Sequence, residues 1–386
     1  MIITSGEQRG TQRDYRLDFF RGLALLFIFL NHIPGNDFSW ITNKHFGISD
    51  ATEIFVFISG YAAALAYSRR MTRDGFRAAT GRILHRAGEV YGVHILLVLV
   101  LAVEAIWLFN RTHNINILAY SNIITLMADQ KAGLLNTLLL TYRPLNMDVL
   151  PLYIVLLMVF PAALWAMMRR PLVTLGVSAL IWVVAGQTGI NLPGYLGGSW
   201  YFNPFAWQFL FMLGAFASLN RDSLRRLTGR HGQALTIAAI AYLVFGLYLA
   251  ATFYTPSLVP ALPQALHDVI HPISKTNLSL LRILHFLAAA YLVSRWMPAS
   301  ASFLTSTLAR PLIVTGQHSL PVFALGIALS FTGYAILREV DGSLLTQGLV
   351  SLAGILLLVG TAEGLKAHDD AVRAKARSVP GNAAHA

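Results

Sequence analysis

Charged residues and cysteine are scarce in this sequence. Only 12% of the 386 residues are Asp, Glu, Lys or Arg, whereas a soluble domain carries about 25%. So few charges cannot cover a globular surface of this size, and lipid must therefore cover much of it. Cysteine is absent altogether, which excludes disulfides, thiolate zinc sites and cysteine nucleophiles.

Apolar residues make up 55% of the chain and form runs that follow one another from near residue 17 to near residue 365. A helix that crosses a bilayer needs roughly 20 apolar residues. By this measure we predict ten membrane-spanning helices, near 17–33, 51–68, 89–109, 148–168, 171–188, 203–219, 233–253, 279–296, 311–335 and 344–365. Asp129, Gln130 and Lys131 interrupt the run 115–142, which favours short interfacial or re-entrant pieces there.

The fold class predicted from these runs is all-α, a polytopic integral membrane bundle of about ten transmembrane helices. We expect residues 1–366 to form a single transmembrane domain and residues 367–386 a short, disordered cytoplasmic tail. No small-residue cleavage site follows the first apolar run, so we expect that run to be retained as a helix.

Basic residues concentrate in the segments that would share one side of the membrane. Arg69, Arg70 and Arg225 are examples, and the opposite side has few cations beyond Lys44 and Arg111. The positive-inside rule assigns the basic side to the cytoplasm and places both termini there. The net charge of +11 follows from this distribution, so nucleic acid is not an expected partner.

Three ionisable residues lie on one face of the first apolar run. Arg21 and His32 are eleven residues apart, which in a helix gives an offset of about 20° and an axial separation of about 16 Å. Asp18 lies one turn before Arg21. Charges inside a bilayer cost roughly 2.5–3.5 kcal/mol each, so such residues are candidate site residues. Alternatively, Asp18 and Arg21 form a structural pair at the interface, and His32 is a solvated helix end.

The second apolar run begins with Asp50 and has Glu53 one turn further on. Because the first run ends at His32, we expect His32 and Glu53 at similar depth. A carboxylate that faces a histidine fixes its tautomer and charge and makes it a general base. We therefore predict His32 and Glu53 as the catalytic pair. The alternative is that they are two unrelated boundary residues.

Other polar residues cluster towards the outer side. Lys275, Arg282 and His285 fall within one broad stripe, because seven residues return to nearly the same helix face, and Arg282 is expected to be a buried cation. The remaining candidates for binding a ligand are Asp148, Asn203, Trp207, Gln208 and His318. Each alone is typical of packing, but together they indicate a polar cavity between helices, with His318 in the cytoplasmic half of the ninth helix.

On the cytoplasmic side, Arg82 and Arg86 are four residues apart and His85 is adjacent. Two guanidinium groups on one helix face match the oxygens of a phosphate. These residues are therefore candidates for binding a phosphate group. The alternative is ordinary positive-inside charge.

Several of these motifs together resemble a known family. The spacing from Arg21 to His32, the segment FVFISGY and the arginine pair are similar to the membrane-bound acyltransferase-3 superfamily. Within it, DFFRGLALLFIFLNH, SDATEIFVFISGYAAALAY, MDVLPLYIVLL, WYFNPFAWQFLFMLGA, LRILHFLA and GQHSL resemble the OpgC family, which is implicated in O-succinylation of osmoregulated periplasmic glucans. One departure is that no proline separates Arg86 from Tyr91, where the superfamily often has one.

The resemblance implies that a succinyl group moves from cytoplasmic succinyl-CoA to hydroxyls of a periplasmic glucan across the bacterial inner membrane. The expected partners are the glucan, acyl-CoA and membrane lipid, with no permanently bound cofactor and no metal. His32, assisted by Glu53, would deprotonate the acceptor. The residues that would bind the CoA donor are Arg21, Arg82, His85 and Arg86, and the candidates named above for the polar cavity would bind the succinyl group or the acceptor. Arg282 as first choice, and Lys275 as second, would meet the succinyl carboxylate.

The candidates for stabilising the oxyanion are His285, Asn203 and Gln208. Direct transfer and transfer through an acylated His32 both remain open.

Two other classes of protein remain possible from the residues alone. A transporter of a glucan, a lipid-linked sugar or an organic anion would use the same polar cavity, although no inverted repeat supports it. A regulatory membrane protein would bind such ligands without turnover.

Overall fold

The computed structural model describes residues 13–255 and 273–378, and over these residues the protein is helical without a β-strand. The α-helices within them are α1 (Tyr15–Asn31), α2 (Ala51–Thr112), α3 (Ile115–Tyr120), α4 (Ile123–Ala128), α5 (Gln130–Leu138), α6 (Val149–Arg169), α7 (Pro171–Thr188), α8 (Pro204–Leu219), α9 (Arg221–Arg230), α10 (Gly232–Tyr254), α11 (Leu280–Trp296), α12 (Arg310–Gln317), α13 (Ser319–Glu339) and α14 (Leu344–Ser378). The predicted all-α class is confirmed.

Six helices of the described ranges are long and apolar enough to cross a membrane: α2, α6, α7, α10, α13 and α14. The apolar helix α8 is shorter, with 16 residues. The protein is thus a membrane protein by the length and composition of its helices. Helices occupy the ten predicted positions, but six of the described helices, and not ten, are long and apolar enough to span. Three of the predicted spans also have other boundaries than expected.

The predicted spans 51–68 and 89–109 belong to one element, because α2 runs from Ala51 to Thr112 and is broken only at Gly75. Gly75 has φ 85° and ψ 170°, a conformation that glycine adopts without the steric cost of a Cβ. Tyr67, before this break, and Arg86, after it, line the same cavity. The two arms of α2 therefore fold back against each other as a helical hairpin.

The predicted span 311–335 is divided into α12 and α13 at His318. The cause lies in the sequence, because Pro321 has no N–H to donate to the carbonyl of Gln317 and cannot continue the same helix through that position. The run 115–142 forms the three short helices α3, α4 and α5, as expected for interrupted apolar pieces.

The predicted disordered tail is wrong for residues 367–378, where α14 remains helical. An ion pair between Lys366 and Asp370, at 2.6 Å, joins residues four apart, which supports a solvated helix. Residues 379–386 lie outside the described ranges.

Glycines bring pairs of helices into backbone contact. A Cβ at Gly60 of α2 would lie 2.0 Å from the carbonyl oxygen of Phe211 in α8, and one at Gly214 would lie 2.1 Å from that of Phe57. Gly22 and Gly316 join α1 to α12 in the same way. Small residues let membrane helices approach this closely.

Helix α1 lies inside the bundle, in contact with α2, α12, α13 and α14. Its apolar side chains Ala24, Leu25, Phe29 and Leu30 are almost completely buried. The polar residues at its two ends are consequently held among other helices and away from lipid. This position makes α1 the axis along which the candidate site is built.

Candidate functional site

Helix α1 carries Arg21 near its beginning and is followed directly by His32. We call the end of the bundle where α1 begins the arginine end, and the end where it finishes the histidine end. Eleven residues of helix separate the two side chains, a rise of about 16 Å. The structure therefore has the separation of Arg21 and His32 that the sequence predicts, and the site consists of two regions, one at each end of α1.

The first region is a cavity of about 170 Å³ that contains Arg21 and Arg86 among its lining residues. We call it the arginine cavity. Its other polar lining residues are Ser59, Tyr67, Tyr153 and Ser319. Elements far apart in sequence thus bring two guanidinium groups to one enclosed space, a chemistry suited to an anion.

Arg21 is only weakly neutralised inside this cavity. Its NH2 atom donates to the carbonyl oxygen of Ile58 at 3.4 Å, and its NH1 atom lies 3.9 Å from Asp18. Asp18 is instead bound tightly by Arg13, at 2.6 and 3.1 Å. The predicted Asp18–Arg21 pair is therefore a long contact, and the positive charge of Arg21 remains available to a ligand.

Of the predicted clamp residues Arg82, His85 and Arg86, only Arg86 lines the arginine cavity. Arg86 lines the arginine cavity and binds Glu89 at 2.7 Å. His85 is exposed and pairs with the same Glu89 at 3.2 Å, while Arg82 is exposed. Neither Arg82 nor His85 lines the cavity. His85 lies about 100° around the helix from Arg86, and Arg82 lies on the same face as Arg86 but about one turn closer to the bend at Gly75.

The second region, at the histidine end, is a cluster of four charges that we call the charge cluster: Asp50, Glu53, Lys275 and Arg282. Lys275 Nζ binds Asp50 Oδ2 at 2.5 Å, and Arg282 NH2 lies 3.4 Å from the same oxygen. Arg282 binds Glu53 Oε1 through NH2 at 2.6 Å and through Nε at 2.7 Å. Two cations and two carboxylates thus balance one another.

The local sequence fixes the two carboxylates. Asp50 caps α2 by accepting from the N–H of Thr52 at 2.8 Å, and Glu53 accepts from the N–H of Asp50 at 2.9 Å. This reciprocal capping box is encoded by an N-cap residue followed three positions later by glutamate. Both side chains are therefore preset before Arg282 and Lys275 approach from elsewhere in the chain.

The predicted contact between His32 and Glu53 is wrong. Glu53 is completely buried and its carboxylate is used by Arg282 and by the N–H of Asp50. Depth alone suggested the pairing, but Arg282 offers a charge-assisted partner that a neutral histidine cannot match. Asp50 is the carboxylate whose charge acts on His32.

Burial lowers the pKa of His32 to about 4, assisted by the nearby charge of Lys275 and opposed by that of Asp50. The imidazole is accordingly neutral at pH 7 and able to accept a proton. Its Nδ1 atom is buried and has no hydrogen-bond partner among the described residues. His32 thus has the protonation state of a general base.

Burial by itself would raise the pKa of Asp50, but Lys275 and Arg282 outweigh it and hold the pKa of this carboxyl below its usual range. Burial would lower the pKa of Lys275, and the charges of Asp50 and Glu53 outweigh it and raise that pKa instead. Both partners are therefore ionised at pH 7.

Two residues predicted to bind ligand, Trp207 and Asn203, instead hold the loop that carries Lys275, and a third, Gln208, joins α8 to α7. Trp207 Nε1 donates to the carbonyl of Lys275 at 3.0 Å, and Asn203 Nδ2 donates to Asn277 Oδ1 at 2.9 Å. Gln208 is hydrogen-bonded to Ser178 of α7. The polar groups of all three are used within the protein, and Trp207 and Asn203 thereby position the loop of Lys275.

The other predicted binding residues also have partners or lie elsewhere. His285 Nδ1 is 2.7 Å from Ser49 Oγ, next to the charge cluster. Asp148 binds Arg143 at 2.9 Å. His318 lies in the turn between α12 and α13, beside Ser319 of the arginine cavity. Only the tertiary structure assigns these partners, because each is distant in sequence or lies in a turn.

A second, much smaller cavity touches His32 and includes Tyr120, Ser121 and Asn146 in its lining. The sequence patterns did not predict these three residues as site residues, because none of them is charged at neutral pH and all lie outside the predicted membrane spans. The segment PLNMD, in which asparagine follows a proline turn, is the only local signal.

One face of α13 connects the two cavities. Ser319 and Phe323 line the arginine cavity, and Ile327 and Phe331 line the cavity beside His32. Phe323 stacks on Phe55 of α2 with ring centroids 6.1 Å apart. Phe323 and Ile327 are four residues apart, so a barrier about 6 Å thick separates the cavities along the helix axis.

Comparison with known proteins gives one match. A family model described as OpgC protein matches residues 13–369, which includes both cavities and the charge cluster. No curated protein and no solved structure matches the sequence.

Proposed function

The chain belongs to the OpgC protein family, and from this premise we propose that it is a membrane O-acyltransferase, within the acyltransferase-3 superfamily, that moves a succinyl group from cytoplasmic succinyl-CoA to a hydroxyl of a periplasmic glucan in a bacterial inner membrane. One observation supports this most directly. Helix α1 holds a weakly neutralised cation, Arg21, in a cavity at one end and a neutral histidine, His32, at the other. An anionic donor and a hydroxyl acceptor need these two chemistries on opposite sides.

The arginine end faces the cytoplasm in this proposal. Exposed arginines surround the bend of α2, among them Arg69, Arg73 and Arg77, which the positive-inside rule places on the cytoplasmic side. At the histidine end, Lys275 and Arg282 are paired with Asp50 and Glu53 in the charge cluster.

The arginine cavity receives the donor. Its volume of about 170 Å³ is smaller than the 300–1,000 Å³ typical of sites that enclose a drug-sized ligand. The nucleotide of CoA therefore stays at the mouth, near Arg86, and the acyl-bearing arm enters past Arg21. To reach His32, the arm passes Phe55 and Phe323, whose rings must move aside.

His32 then acts as the general base at the histidine end. A sugar hydroxyl is a poor nucleophile until its proton is removed during attack on the thioester carbonyl. The neutral imidazole accepts this proton, and the nearby Asp50 carboxylate stabilises the resulting imidazolium. Asp50 thus takes the place that Glu53 was expected to have.

The succinyl carboxylate meets Lys275 before Arg282, the reverse of the order expected from the sequence. The Lys275 side chain is 26% exposed and is bound by Asp50 alone, whereas the Arg282 side chain is 10% exposed and is bound by Glu53 and Asp50. A carboxylate substrate exchanges more readily with the single partner of the more exposed cation.

Transport of a glucan, a lipid-linked sugar or an organic anion is the second candidate. Two cavities at opposite ends of one helix, separated by the Phe55–Phe323 stack, also suit a pathway with an internal barrier. A transporter, however, would have no need of a histidine with a free buried nitrogen.

The test uses purified full-length protein, isotope-labelled succinyl-CoA and a periplasmic glucan. We expect the label to appear on the glucan, and His32→Ala to abolish its transfer. His231→Ala is the matched control, because His231 is exposed and lies outside both cavities. An unmodified glucan with the wild type would favour transport, and full activity of His32→Ala would refute the catalytic assignment.

A further inference from the structure

The small cavity beside His32 has polar walls that the proposed mechanism leaves unused. Its volume, about 10 Å³, is close to that occupied by one water-sized group. Groups on its walls therefore lie within reach of one shared oxygen atom. Tyr120, Ser121 and Asn146 line it together with His32.

The polar side chains that line this cavity differ in whether their hydrogen-bonding groups already have partners. The Ser121 hydroxyl is used locally, since it donates to the carbonyls of Ile117 and Leu118 at 2.8 and 3.2 Å. The side chain of Asn146, by contrast, makes no hydrogen bond within residues 13–255 and 273–378, and His32 Nδ1 is buried without a partner there. A free amide donor and the His32 imidazole thus border one small space.

The loop that carries Asn146 is held rigidly. The N–H of Leu145 donates to the carbonyl of Ser121 at 3.2 Å, and the Tyr142 hydroxyl donates to the carbonyl of Asn122 at 2.9 Å. Asn146 itself has φ 65°, a left-handed conformation that asparagine adopts more readily than most residues. Donors fixed in advance stabilise a developing charge best, because no reorganisation is needed during the reaction.

We propose that the cavity receives the acceptor hydroxyl and that Asn146 donates the hydrogen bond that stabilises the oxyanion of the acyl-transfer step. This inference rests on the proposed function. The hydroxyl oxygen forms a bond to the thioester carbonyl carbon while its proton passes to the His32 imidazole. The carbonyl electron pair moves to the oxygen, which accepts from Asn146 Nδ2–H.

Collapse of this intermediate restores the carbonyl and breaks the C–S bond. The CoA thiolate leaves and takes the proton from the His32 imidazolium, so that the products are the ester and CoA thiol. Asn146 is neither protonated nor deprotonated in the cycle. Its contribution is therefore confined to the charged intermediate and the transition states on either side of it.

Kinetics of Asn146→Ala test this role. Loss of one oxyanion donor lowers kcat about 10²- to 10³-fold in other acyl-transfer enzymes, and we expect a fall of that size with KM for the glucan changed by less than about threefold. Asn116→Ala is the matched control, because Asn116 is exposed in α3 and its side chain makes no hydrogen bond with a described residue. A kcat for Asn146→Ala within about threefold of the wild type would overturn the proposal.

A second measurement does not depend on the enzymatic activity of the protein. Diethyl pyrocarbonate modifies neutral imidazole, so the pH dependence of His32 modification, followed by peptide mass spectrometry on folded protein, reports its pKa. The charges acting on His32 are those of Lys275, Asp50 and Lys44. Asn146→Asp adds a carboxylate, and we expect the midpoint to rise by about one to two pH units.

An unchanged midpoint in Asn146→Asp would show that residue 146 does not face His32 and would overturn the proposal. The two proposals fail separately. If the wild type transfers no succinyl group, the acyltransferase assignment falls and the oxyanion role falls with it. If the wild type is active and Asn146→Ala is equally active, only the role of Asn146 is lost.

Discussion

At the scale of the residue, the charge cluster is the most consequential feature of the histidine end. Burying one unpaired charge costs several kcal/mol, so Glu53, completely buried, depends on Arg282. Lys275 and Asp50 complete the balance. The cluster also sets the electrostatic environment of His32, because Lys275 lowers its pKa and Asp50 raises it.

Replacement of Lys275 tests this electrostatic coupling. Lys275→Met removes a positive charge and leaves Asp50 less neutralised, and both changes raise the pKa of His32 from its value of about 4. We expect the acidic limb of kcat/KM, which reports the free enzyme, to move up by about one pH unit. Lys44→Met is the control and should move it less, since Lys44 is exposed and acts on His32 more weakly.

We expect substitutions of Arg86 and of Arg82 to differ in their effect on donor binding, although the spacing in the sequence made both residues candidates. Arg86 lines the cavity and Arg82 does not, so we expect Arg86→Ala to raise KM for succinyl-CoA about five- to tenfold, the loss of one partly solvated charge-assisted hydrogen bond. Arg82→Ala and the exposed control Arg77→Ala should stay within about twofold. Equal effects at Arg82 and Arg86 would argue for a diffuse electrostatic role.

At the scale of the element, backbone contact between helices positions the site. Helix α2 presents Asp50 and Glu53 at its beginning, and its approach to α8 depends on Gly60 and Gly214. Helix α8 in turn holds the loop of Lys275 through Trp207. Two facing glycines thus determine how far Asp50 lies from Lys275.

Gly60→Ala tests this packing. Its Cβ would lie 2.0 Å from the Phe211 carbonyl oxygen, so α2 and α8 must separate, at a cost of about 1–3 kcal/mol or more for overpacking. We expect a lower Tm for the detergent-purified protein. Gly88→Ala is the control, because a Cβ there meets nothing within 4 Å, and alanine is the better helix former. A Tm for Gly60→Ala as high as that of Gly88→Ala would contradict the close contact.

At the scale of the whole molecule, the two cavities lie at opposite ends of one buried helix. The proposal requires the arginine end inside the cell and the histidine end outside, so that donor and acceptor approach from different compartments. The Phe55–Phe323 stack lies between the two cavities, and in the proposal it separates these compartments while no donor is bound.

The absence of cysteine allows a direct test of this orientation. Lys44→Cys and Arg77→Cys each introduce a single thiol at an exposed position, at the histidine end and at the bend of α2 respectively. A membrane-impermeant maleimide added to intact spheroplasts should label Lys44→Cys, and should label Arg77→Cys only after permeabilisation. The reverse pattern would invert the proposed topology.

The sequence by itself determined the class of protein, the positions of the helices and the separation of Arg21 from His32. These follow from local physics, because lipid demands apolar runs of a set length and helix geometry relates residues eleven apart without reference to the rest of the chain. The capping box of Asp50 and Glu53 is equally local. The sequence did not predict that α2 continues as a helix through its arginine-rich segment. A cluster of arginines is found in loops and in solvated helices alike, so it does not distinguish the two.

Only the tertiary structure decided which groups meet. Glu53 binds Arg282, a residue 229 positions away, and the loop of Asn146 is held by Ser121 beside His32. Hydropathy gives the depth of a residue in the membrane, and helix periodicity gives the helix face on which it lies. Neither identifies the residue that it contacts on a neighbouring helix. That identity depends on how all the helices pack together, and charge neutralisation of a buried group then selects the partner.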